Sequence, residues 1–149
     1  LNAMQEITIR HITEFDPSLT EPIQRMLGQL TSQPVPFTDD ELHAICQSKN
    51  SHLMVMYADT EPVGMVTIGH YLAPTGCKAW IEDVVIDSSM RGQGLGRLLV
   101  SHAIDYAQTL APCTLMLTSR PSRIEANALY RSAGFEQRET NVYKIEIKK

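Results

Sequence analysis

Apolar and polar positions alternate over residues 5–12, with Ile7 and Ile9 set against Thr8 and Arg10, and this period predicts a half-buried strand. Over residues 16–30 the period changes. Leu19, Ile23, Met26, Leu27 and Leu30 recur at helical spacing, and Pro22 falls early enough for a first turn to tolerate it. Two prolines make 33–37 a loop, and Thr38-Asp39-Asp40-Glu41 reads as a capping box that opens a second short helix running to about Ser48. Strands are predicted over 52–58 and 62–71 around the turn residues Asp59-Thr60-Glu61. A loop with Pro74 and Gly76 follows over 73–78, then an Ile- and Val-rich strand over 79–87. Leu98, Leu99, Ala103, Tyr106 and Leu110 mark one face of a helix over 96–110, and 113–118 reads as a buried strand. Ser122 and Glu125 form a second capping box for a helix to Ala133, with Gly134 where a left-handed residue closes it. The alternation over 141–147 predicts a last strand that completes the sheet. The order β-α-α-β-β-β-α-β-α-β implies an α/β layered domain with a mixed sheet.

Composition narrows the class. A chain of 149 residues fits one domain, taken here as 4–149, with residues 1–3 ahead of Met4 read as a leftover of cloning. At 43% hydrophobic and 20% charged residues the chain has enough apolar surface for a packed core, which excludes a disordered polymer. No apolar run approaches the roughly 18 residues of a membrane span, so no membrane partner is expected. The net charge of −4 argues against a nucleic-acid partner held by a basic surface, while leaving local basic clusters for an anionic ligand. Cys46, Cys77 and Cys113 form no close pair, which points to a reducing, cytoplasmic setting. The histidines make neither H-x-x-x-H nor H-E-x-x-H, so no metal is expected.

The stretch Arg91-Gly92-Gln93-Gly94-Leu95-Gly96 carries the chemistry. A strand runs into alternating glycines and straight on into a helix. Such a backbone turns several N–H groups into one concavity, and the helix start adds partial positive charge, which suits a pyrophosphate. The spacing is neither the G-x-G-x-x-G of dinucleotide folds nor a Walker loop.

This segment resembles the [QR]-x-x-G-x-[GA] signature of the GNAT superfamily of acyl-CoA N-acyltransferases. The later Asn127-Ala128-Leu129-Tyr130 and Gly134-Phe135 resemble that family's N-x-x-Y and G-F segment, and the element order agrees over the whole domain. The resemblance implies a sheet whose two neighbouring parallel strands, 79–87 and 113–118, splay apart. The pantetheine arm of acetyl-CoA would pair with Val84, Val85 and Ile86 as an added strand. The pyrophosphate would sit on the N–H groups of Gly92, Gln93, Gly94, Leu95, Gly96 and Arg97, with Arg91 of the motif as a further phosphate partner, and Asn127 would lie near the cofactor. Residues 81–86 also look locally like the glucosamine-6-phosphate acetyltransferase branch, from which 118–123 departs.

Direct transfer from a thioester to an amine needs a base, an oxyanion donor and an acid for the leaving thiolate. The resemblance places Tyr130 beside the cofactor sulfur as the acid, and a packing tyrosine is the plainer alternative. Glu82 resembles the family's strand glutamate that serves as base, with Asp83 expected on the opposite face of a regular strand. Arg91, Arg97, Arg120 and Arg123 are the candidate phosphate partners. His70 and Tyr71 are candidates for an acceptor pocket, and His102 reads as a boundary residue. The implied function is N-acetyl transfer from acetyl-CoA to a small-molecule or protein amine in a ternary complex; the alternative is a non-catalytic acyl-CoA-binding module on the same fold. Dimers are frequent in the superfamily, so a homodimer is compatible with the resemblance.

Overall fold

The computed structural model describes residues 4–34 and 36–149. The leading residues 1–3, read above as foreign to the domain, lie outside the described residues, as does Val35 of the 33–37 loop. The chain forms two compact units, one reaching to Thr118 and the other spanning Ser119–Lys149.

The first unit is an α/β layer built on a five-stranded mixed sheet in the order β1-β2-β3-β4-β5. Its strands are β1 (Ile7–His11), β2 (Ser51–Ala58), β3 (Glu61–Ala73), β4 (Gly76–Ile86) and β5 (Cys113–Met116). The first four pair antiparallel, and β4 pairs with β5 in parallel. Three helices belong to this unit, α1 (Thr20–Leu30), α2 (Asp39–Gln47) and α3 (Leu95–Gln108).

Local chemistry accounts for most boundaries. Asp16 caps a short 3-10 turn ahead of α1, so Pro22 falls in the helix's first turn, where it breaks no hydrogen bond. At α2 the capping box is made in both directions: Thr38 Oγ1 accepts from the Glu41 amide at 3.4 Å, and Glu41 Oε2 accepts from the Thr38 amide at 2.6 Å. The β2–β3 connection is a two-residue turn in which Asp59 takes a left-handed φ of 53°. The expected 73–78 loop contracts to Pro74 and Thr75, because Gly76 supplies φ 114° and lets β3 and β4 run on to the turn.

The sheet is covered on both faces, and residues 53–58 of β2 are accordingly buried without a break. On one face Leu53, Val55, Tyr57, Met65 and Val85 pack with Leu19, Ile23, Met26 and Leu42 from the α1–α2 side. On the other lie Met54, Met56, Val66 and Ile68, and α3 contributes the buried Leu99, Val100 and Ala103. Of the strand methionines expected in the core, Met54, Met56 and Met65 are buried there, whereas Met116 on β5 is only half-buried.

The second unit contains α4 (Ile124–Ser132). Two expectations fail here. The Ser122–Glu125 capping box does not form: Arg123 occupies the N-cap and no side chain caps the helix. Instead the Asn127 amide donates to the carbonyls of Arg120 at 2.9 Å and Arg123 at 2.8 Å, holding the entry turn. Residues 141–147 do not form the expected strand; Val142, Tyr143, Ile145 and Ile147 are all exposed. Alternation supplies an apolar face, but a strand exists only when its backbone groups find a partner edge.

Candidate acyl-transfer site

β4 carries the first half of the site. Its parallel pairing with β5 ends at Trp80 and Met116, while β4 itself continues to Ile86. Beyond Trp80, therefore, no described strand pairs with the β5-side edge of β4. A strand edge left open next to a parallel neighbour can accept an extended chain by main-chain hydrogen bonds.

A bulge lies on this open stretch. Thr67 faces Glu82 and Met65 faces Val85, so Asp83 and Val84 together oppose the single residue Val66. Asp83 absorbs the extra residue with φ 52°, a left-handed conformation that costs a non-glycine residue roughly 1–3 kcal/mol and persists where the surroundings impose it. A bulge, not a regular strand, therefore separates Glu82 from Val85. Ile81 and Val85 are buried and both intervening carboxylates are exposed. Burial of part of the Glu82 side chain raises its pKa, and the neighbouring Asp83 charge raises it further. Desolvation likewise raises Asp83. Both shifts move a carboxylate toward the range of a useful base.

The strand then passes into the glycine loop. Asp87 accepts from the Ser89 amide, and a 3-10 turn over Ser88–Met90 brings the chain to Arg91. The Arg91 Nε donates to the carbonyl of Ile86 at 3.2 Å, turning its guanidinium back over the strand end. Gly92 and Gly94 have φ of 81° and 76°, conformations that side chains rarely adopt, and a Cβ built on either would meet nothing within 4 Å. Gly94 is the N-cap of α3 and offers no side chain to its first-turn amides. The loop thus presents open backbone at a helix start, the arrangement that accommodates an anion.

The second unit holds the remaining candidates. Tyr130 is buried at 7% exposure, its ring edge-to-face with Phe135 at 6.1 Å between centroids. Burial raises the phenol pKa, opposed by the nearby Arg123 charge, so the hydroxyl keeps its proton through the neutral range. Asn127 is fixed by the two bonds described above. Arg120 and Arg123 flank that turn.

Of the weaker candidates, His70 joins a file of rings. Its Nε2 lies 2.8 Å from His52 Nε2, and His52 Nδ1 lies 3.3 Å from His11 Nε2. Tyr71 is half exposed. Among the described residues no group of three His, Cys, Asp or Glu is arranged to hold a metal ion.

Sequence reading missed Arg25 and Gln29 of α1, both of which reach Asp87. The available signal was Asp87-Ser88-Ser89 after a strand, a turn-capping pattern, but nothing local identifies a helix 58 residues earlier as its partner.

Comparison with known proteins agrees with this geometry. Residues 23–135 match the model of the acetyltransferase (GNAT) family. The ribosomal protein bS18-alanine N-acetyltransferase of Salmonella typhimurium is 38% identical over 60 residues, and the match spans 40% of this chain and 40% of that protein. A structure described as a transcriptional regulator from Bacillus halodurans superposes with a TM-score of 0.77 at 28% identity, covering 95% of this chain and 100% of the other. An aminoglycoside acetyltransferase from an uncultured soil metagenomic sample, solved with sisomicin, shares the fold at a TM-score of 0.79 and 17% identity, covering 96% of this chain and 97% of the other. With its mixed sheet, its open β4 edge and a family match over residues 23–135, the chain belongs to the GNAT family of acetyltransferases.

Proposed function

We propose that residues 4–149 act as one catalytic domain that moves the acetyl group of acetyl-CoA to a primary amine by direct attack in a ternary complex. The observation that carries this reading is the unpaired β4 edge beyond Trp80, which leads directly into a glycine loop at a helix start. Val84, Val85 and Ile86 supply main-chain partners for the pantetheine arm. Residues 91–97 receive the pyrophosphate, with Gly92 and Gly94 giving close backbone approach. Asn127 contributes its Oδ1, since its amide hydrogens already hold the α4 entry.

Each group has one task. Glu82, or Asp83 beside it, takes the ammonium proton directly or through a water. The freed amine attacks the thioester carbon, the new C–N bond forms, and a backbone N–H of β4 holds the oxyanion. The C–S bond breaks as Tyr130 gives its proton to the leaving sulfur, and the surplus proton on the acylated nitrogen passes through water to the phenolate, leaving the neutral amide, the CoA thiol and a restored phenol. Of the relatives named above, one is a ribosomal protein bS18-alanine N-acetyltransferase and one an aminoglycoside acetyltransferase solved with sisomicin, so both protein and small-molecule acceptors are in scope. The net charge of −4 favours a cationic one. We place the enzyme in the cytoplasm and allow for a homodimer.

The test is a panel of small amines and amino-terminal peptides incubated with acetyl-CoA, following release of free thiol. Acceptor-dependent thiol release with a matching acetylated product supports the reading. Tight acetyl-CoA binding with no transfer to any acceptor would favour the non-catalytic module.

A further inference from the structure

We propose that Gln29 of α1 and Asp87 form a clamp that holds the 88–94 loop in its pyrophosphate-binding pose, so that affinity for acetyl-CoA is set partly from α1. This rests on the reading that residues 91–97 receive the pyrophosphate.

The clamp is built from both ends of one amide. Gln29 Oε1 accepts from the Ser88 amide at 2.8 Å, while Gln29 Nε2 donates to Asp87 Oδ1 at 2.8 Å. Arg25, one helical turn earlier on the same face, brings Nε to 3.5 Å from that oxygen and donates through Nη2 to the Pro62 carbonyl at 3.3 Å. The other carboxylate oxygen accepts from both the amide and the hydroxyl of Ser89. The main chain of Asp87 is equally constrained. Its amide donates to the Val63 carbonyl at 2.7 Å, and its carbonyl accepts from the Met90 amide at 2.9 Å.

Asp87 is the one buried polar or charged side chain among the described residues, and these donors hold its pKa down at about 2, Ser89 first and Gln29 next. The carboxylate therefore stays charged through the neutral and mildly acidic range. Ser88, Ser89 and Met90 are each tied to this point, and α1 is anchored in the core by Ile23 and Met26. A loop held in its binding conformation spends less of its interaction energy on ordering when the ligand arrives. Breaking the clamp frees the loop without touching the glycines.

The experiment compares CoA affinity by calorimetry, and KM for acetyl-CoA and kcat in the transfer assay, for wild type, Gln29→Met and Gln29→Glu, with Gly94→Val as a reference. Gln29→Met keeps the length of the side chain and removes both hydrogen bonds. The expected result is a roughly tenfold rise in Kd and KM at nearly unchanged kcat, about what the loss of one charge-assisted hydrogen bond would produce. Gln29→Glu keeps the acceptor for Ser88 and sets a charge against Asp87. Its affinity relative to wild type should recover as the introduced carboxyl is protonated, a pH signature that loss of packing would not give. Unchanged Kd in a folded Gln29→Met overturns the clamp, and so does a loss of kcat matching the rise in KM. Undiminished CoA affinity in folded Gly94→Val overturns the loop assignment instead.

Discussion

The amide of Phe135 donates to the carbonyl of Tyr130 at 3.0 Å, five residues back along the chain. The amide of Gly134 donates to Arg131 at 3.1 Å, and Phe135 packs its ring against that of Tyr130. Together these bonds and the ring contact make a Schellman closure of α4, with Gly134 at φ 108°. The G-F pair of the family segment therefore has a local physical task, which is to end the helix and seat the tyrosine. Gly134→Ala should destabilise the protein by about 1 kcal/mol or more, because a Cβ is strained at that φ. Urea unfolding measures it; equal stability would mean the closure relaxes at no cost.

Tyr130→Phe keeps this packing and removes only the hydroxyl. The raised pKa means the phenol carries its proton at neutral pH, as an acid must. The expected effect is a fall in kcat of about 10²–10⁴-fold with little change in CoA affinity. An unchanged kcat in an assay limited by chemistry would leave Tyr130 with a packing role alone.

Gly94→Val addresses the pyrophosphate. Its φ of 76° disfavours any side chain, and the branched Cβ would project into the space above the loop. CoA binding measured by calorimetry should be lost, with folding retained by circular dichroism.

The two exposed carboxylates at the bulge predict the acidic limb of the rate profile. Both pKa values are raised, so the base becomes active only as pH climbs through a value above that of an ordinary carboxylate. A kcat/KM profile for Glu82→Gln and Asp83→Asn separates them: the variant that loses the limb identifies the base. If neither loses it, water or the acceptor's own ionisation accounts for deprotonation.

Acid should weaken the fold through histidines. His52 is held down to about pKa 4, first by burial and then by His70 and His11. His11 is lowered by burial and by His102. Tyr106 is the further ring against His11 and His52. A histidine whose folded pKa lies below its unfolded value near ~6.5 takes up its proton more readily when unfolded. Stability is thus full above that value and falls as pH drops toward about 4. Loss of the Asp87 contribution follows only lower, toward about 2. Urea midpoints at several pH values should show this slope for wild type and a shallower one for His52→Gln.

Much of the fold was legible because its determinants act within a few residues. The Thr38 capping box, the Asp59 turn, the closure at Gly134 and the glycine run between β4 and α3 are each decided by dihedral preference and nearby hydrogen bonds. Periodicity likewise placed five strands and four helices to within a few residues. Tertiary structure decided what depends on partners distant in sequence. The bulge at Asp83 and Val84 arises from register against β3, which no pattern within β4 encodes. The edge beyond Trp80 is open because β5 stops pairing at Met116. The Gln29–Asp87 bonds and the file of His11, His52 and His70 join side chains from separate elements. At 141–147 the apolar alternation is present and the strand is not, since pairing is a property of two edges and the sequence describes only one.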